Sequence, residues 1–352
     1  MRAPGRPPGV HEPLRYEPEP GLGAAVRQRF GRALFDYGLR GLANLGQLHP
    51  SARPHRHGVE VLTDLPYLDP DDGSRDHRLD IYRPLPEKGA KAERDHRAYG
   101  PPYPVVLYIH GGGFRILSKD THWVMALAMA RRGMLVFNIN YRLSPQHPFP
   151  AALIDCCAAL AYVARQAAAL GGDPRRLVLA GESAGANLVT ALTLLTCVQR
   201  QEPWAQRVFE LGLVPAAALP MCGMLQVSDS ERFARRKQLP QWVSDRLTEV
   251  THAYLRQSPA EQLDLADPLC LLERGPALAR PLPPFFAGVG TRDPLLDDTR
   301  RLGQALTRLQ VPHELRYYPG ELHAFHALVY RTQAKRCWRD QFTFLDRYLG
   351  AA

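Results

Sequence analysis

Leu177-Val178-Leu179-Ala180-Gly181-Glu182-Ser183-Ala184-Gly185-Ala186-Asn187 is the stretch on which the reading of this chain turns. Its first residues form a short apolar run suited to a strand buried on both faces of a sheet. From Ala184 the apolar residues continue over 184–199, long enough for a helix. Between strand and helix lies G-x-S-x-G, the pattern of a nucleophile elbow. Such a turn is strained and closely packed, so the residues beside the serine must be small. Gly181, Ala184 and Gly185 meet that requirement. Ser183 is then expected to stand above the sheet at a helix N-terminus, where the helix dipole favours arriving negative charge. The bare pentapeptide also occurs in ordinary glycine-rich turns, so the rest of the chain has to support it.

Upstream, Pro104-Val105-Val106-Leu107-Tyr108-Ile109-His110 predicts another buried parallel strand, and His110-Gly111-Gly112-Gly113-Phe114 follows it directly. Three successive glycines let the backbone approach a substrate closely and aim N–H groups at it. If Ser183 attacks a carbonyl, its oxygen becomes negative. A donor already directed there contributes ~3–4 kcal/mol without reorganising. The candidate donors are the amides of Gly112, Gly113 and Ala184, with His110, Gly111, Phe114 and Glu182 lining the site. A phosphate-binding glycine loop would carry a Walker Lys-Ser/Thr pair or GxGxxG, and neither is present.

Further outward, strands are expected at 59–62 and 77–82 as an antiparallel pair, then at 134–140, 214–225, 284–290 and 314–318. Helices are expected at 123–132, 149–170, 297–309 and 325–349. Strands alternating with helices of this length imply a mostly parallel sheet with right-handed crossovers. Residues 226–272 break the rhythm and are expected to be a helical insertion.

With these pieces in order, His110 to Phe114, Tyr141-Arg142-Leu143-Ser144-Pro145-Gln146-His147-Pro148-Phe149-Pro150, and Gly181 to Asn187, the chain resembles the hormone-sensitive-lipase-like esterases, also called bacterial family IV. The resemblance implies an α/β-hydrolase core, made here of residues 57–225 and 273–352. It also implies a helical cap formed by residues 1–56 and 226–272. The implied activity is hydrolysis of short- to medium-chain acyl esters, with no cofactor and no metal. The chain departs from the family at Gln146, Glu182 and Ala186, where Glu, Asp and often Gly are usual.

This fold orders its triad as Ser, acid, His. In Gly290-Thr291-Arg292-Asp293-Pro294-Leu295, Asp293 follows a buried strand and matches the family's Asp-Pro-Leu. Asp297 and Asp298 compete, but their position suits capping and first-turn charges. In Tyr318-Pro319-Gly320-Glu321-Leu322-His323-Ala324-Phe325, His323 matches the family's Gly-x-x-His-x-Phe. His326 is the nearby rival, expected on the final helix, and the base is expected to titrate near ~6–7. A catalytically inactive receptor on the same fold, or an amidase or peptidase using the same residues, remains open at this level.

The composition agrees with this reading. The chain of 352 residues is 45% hydrophobic with a net charge of +9. Its basic residues are scattered and accompany no nucleic-acid-binding motif. Cys156, Cys157, Cys197, Cys222, Cys270 and Cys337 form no CxxC or Cys/His metal spacing. Residues 1–20 lack the apolar core of a signal peptide, and no apolar run is long enough to span a bilayer. Cytoplasmic location is therefore expected. The expected partner is a small-molecule ester, not nucleic acid or an integral membrane, with a homodimer left open. Val26, Phe30, Leu34 and Tyr37 recur at helical spacing. They are expected to cover the pocket as part of the cap, the alternative being an interfacial membrane helix.

Overall fold

The element that organises the sheet is β3 (Tyr103–Ile109), a seven-residue strand buried throughout. Its side chains alternate between two cores, as the two-residue strand period requires. Val105, Leu107 and Ile109 enter one core, and Val106 and Tyr108 enter the other. The remaining strands are β1 (Val59–Pro66), β2 (Arg78–Pro84), β4 (Leu135–Ile139), β5 (Gly172–Glu182), β6 (Ala217–Met221), β7 (Phe285–Gly290) and β8 (His313–Tyr318). They lie in the order β1-β2-β4-β3-β5-β6-β7-β8. β2 runs antiparallel to both β1 and β4, and from β4 onward neighbouring strands are parallel. The expected mostly parallel α/β sheet with an antiparallel pair at one edge is present.

In this computed structural model the described residues are 45–85, 98–233, 239–258 and 260–350, together with Gly41. The expected N-terminal helix with Val26, Phe30, Leu34 and Tyr37 lies outside them.

Helices α1 (Trp123–Arg131), α2 (Ala151–Gln166), α3 (Ala184–Cys197), α4 (Pro203–Glu210), α5 (Gln241–Leu255), α6 (Pro268–Arg274), α7 (Leu296–Arg308) and α8 (Thr332–Leu349) complete the described architecture. α3 is buried at every position, which explains its near-continuous apolar sequence. α5 falls within the expected insertion 226–272, and α6 begins in it and ends two residues beyond. Among the described residues, no helix is long and apolar enough to cross a membrane.

Several elements differ from the sequence expectation, among them β6, which spans Ala217–Met221 and not 214–225. α4 was not anticipated; it is short and polar, and its one clear start signal is Pro203 at the first turn. α2 begins at Ala151, behind Pro148 and Pro150, not at Phe149. β5 begins five residues early because Gly172 and Asp173 pair with Tyr103 and Pro104 before a register shift. The closing helix starts at Thr332; the preceding Phe325–Ala327 is a separate 3-10 turn.

One buried carboxylate ties residues 226–272 to the core, and a second ties the two ends of that segment together. Asp298, in the first turn of α7, is fully buried. It accepts from the N–H of Leu225 (2.9 Å) and pairs with Arg232 at 2.7 Å. Asp298 is a first-turn charge as the sequence suggested, and its side chain also serves a long-range contact. Asp297 stays at the surface beside Arg300. Asp267 accepts from the N–H groups of Val227 (2.5 Å) and Ser228 (3.0 Å).

Candidate active site

Ser183 joins β5 directly to α3 with φ 56° and ψ −116°, a conformation that costs a non-glycine residue energy. The glycines around it are required by close approach. A Cβ on Gly181 would lie 2.4 Å from the Ile109 carbonyl oxygen, and one on Gly185 would lie 2.0 Å from the same atom. Hydrogen bonds hold the turn from the β6 side. Ser183 N–H donates to Met221 O (3.0 Å), and Met224 N–H donates to Ser183 O (3.2 Å). Asn187, buried on α3, donates to the carbonyls of Met224 and Ala266 at 2.9 Å each. The elbow, the segment after β6 and Ala266 near the end of the insertion thus share one set of bonds.

The loops after β7 and β8 bring the other two residues to Ser183. Asp293 is fully buried and accepts the Leu295 N–H on Oδ1 (2.8 Å). Its Oδ2 lies 2.9 Å from His323 Nδ1. A carboxylate can only accept, so the neutral imidazole carries its proton on Nδ1. Nε2 is then free to accept from Ser183 Oγ, also at 2.9 Å. Burial disfavours the charged imidazole, but the Asp293 charge and hydrogen bond, together with the Glu182 charge, outweigh it and raise the His323 pKa above its ordinary 6.5.

His326 is placed elsewhere. It lies in the 3-10 turn, not on the final helix, and is buried. Burial pushes its pKa down to about 4. Neither ring nitrogen has a hydrogen-bond partner among the described residues.

The glycine loop after β3 approaches Ser183 from the other side. Gly112 and Gly113 take φ values of 114° and 59°, and α3 begins at Ala184. Among the described residues, the N–H groups of Gly112, Gly113 and Ala184 take no hydrogen bond from within the chain. Gly111 is anchored instead, donating to Glu182 Oε1 at 2.5 Å. Phe114 is buried and stacks on Tyr254 of α5 with centroids 3.6 Å apart. His110 is also buried, stacked on Tyr141 at 4.3 Å. Burial and the neighbouring His122 hold its pKa down at about 3.

Glu182, where the family usually has Asp, is the hub of a network that sequence reading missed. Besides Gly111 it accepts from the Tyr108 hydroxyl and pairs with His122 Nε2 at 2.7 Å. Burial alone would raise the Glu182 carboxyl, but His122 and Tyr108 bring it down to about 2. Part of this was accessible from strand alternation: Tyr108 pairs with Ala180, so the side chain two positions past Ala180 shares its face. His122 gave no such signal. Nor did Lys119, which is buried yet bonds Asp64 and Asp80 at 2.9 Å each and Asp120 at 2.7 Å, fixing the far end of the glycine loop.

A strand–elbow–helix with a serine hydrogen-bonded to a His that is itself bonded to an Asp, both from later loops, marks the α/β hydrolases, and a family model described as alpha/beta hydrolase fold matches residues 106–327. The chain belongs to that family, in its hormone-sensitive-lipase-like branch. Carboxylesterase NlhH from two strains of Mycobacterium tuberculosis is 35% identical over 238 residues, which is 65% of this chain and 70% of the relative. Among solved structures, esterase LipW from Mycobacterium marinum superimposes with a TM-score of 0.72 at 25% identity over 91% of each chain. A bacterial heroin esterase does so at 0.68 and 25%, over 94% of this chain and 97% of its own.

Proposed function

We propose that the protein is a serine carboxylesterase that hydrolyses short- to medium-chain acyl esters. The observation that carries this reading is the unbroken array Ser183 Oγ, His323 Nε2, His323 Nδ1 and Asp293 Oδ2, joined at 2.9 Å and 2.9 Å. Its 35% identity to carboxylesterase NlhH over 238 residues supports carboxylic ester hydrolysis.

In this reading His323 takes the proton of Ser183 as Oγ attacks the ester carbonyl, and Asp293 stabilises the imidazolium. The oxygen becomes negative and is met by the amides of Gly112, Gly113 and Ala184. His323 then protonates the leaving alcohol, which departs and leaves an acyl-Ser183. Water attacks that acyl group with His323 again as base, releasing the acid and restoring the serine. The residue set is intact, which argues against an inactive receptor.

The test is Ser183→Ala assayed with p-nitrophenyl esters of increasing chain length. The variant should lose activity by ~10⁴-fold or more while its circular dichroism and melting temperature stay close to the parent's. The parent should prefer acetyl to hexanoyl chains. Near-parental turnover by Ser183→Ala would end the proposal.

A further inference from the structure

Cys222 is the first residue beyond β6, with φ 38°, and its N–H donates to Gly288 O at 2.9 Å. Its thiol is buried directly behind the proposed triad. Cys222 Sγ, one ring nitrogen of His323 and one carboxylate oxygen of Asp293 all lie within 4.8 Å of one another. The proposed mechanism has no use for the thiol. A thiolate, an imidazole and a carboxylate are, however, the donor set that Zn²⁺ and other thiophilic divalent cations prefer.

The geometry nearly suffices. Tetrahedral Zn²⁺ with sulfur at ~2.3 Å and nitrogen or oxygen at ~2.1 Å holds its donors ~3.6 Å apart, against separations of at most 4.8 Å in this cluster. Cys222 is fixed by its strand-end bond to Gly288 and Asp293 by Leu295 N–H. His323, whose side chain is 34% exposed, is the member free to move and the side from which an ion could enter.

We propose that Cys222, Asp293 and His323 form an inhibitory site for a thiophilic divalent cation. On binding, the thiol proton passes to solvent, and the ion takes His323 away from Ser183. Water or Ser183 Oγ fills the fourth position. The binding claim stands by itself; only the loss of activity rests on the proposed role of His323 as base.

The full-length protein is titrated with Zn²⁺ while ester hydrolysis is followed, and with Co²⁺ while thiolate-to-cobalt charge-transfer absorption is recorded. Zn²⁺ should inhibit reversibly, and a chelator should restore the starting rate. Cys222→Ser and Cys222→Ala, each compared with its own uninhibited rate, should need about tenfold more Zn²⁺ or greater for half inhibition. Both should lose the cobalt–thiolate band, whereas Cys270→Ser, a control at the half-buried thiol, should keep it. Ser183→Ala should also keep the band, which separates the two readings. If Ser183→Ala stayed active but bound Co²⁺ through Cys222, the esterase mechanism would fall and the metal site would stand. No band in the parent, or equal Zn²⁺ sensitivity in both Cys222 variants, would overturn the metal site.

Discussion

Ser183 and His323 show how single residues acquire chemistry from their setting. The strained serine is held by Met221 and Met224, and the imidazole takes its tautomer from Asp293. The same carboxylate raises the pKa of His323 above 6.5. The base must be neutral to accept a proton, so kcat/KM should rise with pH through an ionisation above that value. His323→Ala should remove this limb with nearly all activity. His326, pushed down to about 4, is already neutral through the assay range, so His326→Ala should leave the limb where it was. A pH–rate profile of the three proteins decides the matter. A limb that vanished only in the His326 variant would place the base three residues too early.

At the level of elements, the glycine loop is a built structure with anchors at both ends. Gly111 is tied to Glu182, and Lys119 is held by three carboxylates. From above, α5 closes on it: Tyr254 stacks on Phe114, Glu249 pairs with Arg115, and Val250 lies where a Gly113 side chain would go. Gly112 has the least tolerance. A Cβ there would stand 2.1 Å from the Ile116 carbonyl oxygen at φ 114°. Gly112→Ala must therefore shift the loop and misdirect its amides. We expect kcat to fall by ~10²–10³-fold, with KM changed far less, because oxyanion contacts strengthen in the transition state. A steady-state comparison showing the reverse split would mean that this loop binds substrate without stabilising the oxyanion.

Across the whole molecule, a buried carboxylate links segments that are distant in sequence. Asp298 on α7 satisfies the N–H groups of Leu225 and Gln226 and pairs with Arg232. Asp298→Ala would strand those amides and leave Arg232 chiefly with the Asp229 carbonyl. Breaking a buried pair in this way costs ~3–5 kcal/mol, which for a chain of this size lowers the melting temperature by ~5 °C. Thermal unfolding followed by circular dichroism measures it. An unchanged midpoint would show that Asp298 contributes nothing net to holding the insertion in place.

Much of the architecture is written in local patterns. The apolar runs of β3, β4 and β7, and the elbow around Ser183, depend on residues close together in sequence, so periodicity and glycine placement are enough to locate them. The chain order Ser, acid, His, with the resemblance to the family's motifs at Asp293 and His323, pointed to one candidate of each type over Asp297, Asp298 and His326. Tertiary structure decided the rest. Nothing near Glu182 in sequence shows that Tyr108 and His122 converge on it; sheet register does that. Asp298 looks like a first-turn helix charge until Leu225, Gln226 and Arg232 are brought against it. The start of α8 at Thr332 depends on how the 3-10 turn holding His326 packs beneath the site. Cys222, far from any Cys or His spacing that suggests a metal, meets His323 and Asp293 only because β6, β7 and β8 are neighbours in the sheet. Local propensities select the elements, but contacts between distant residues follow from strand order and packing, which no short window of sequence contains.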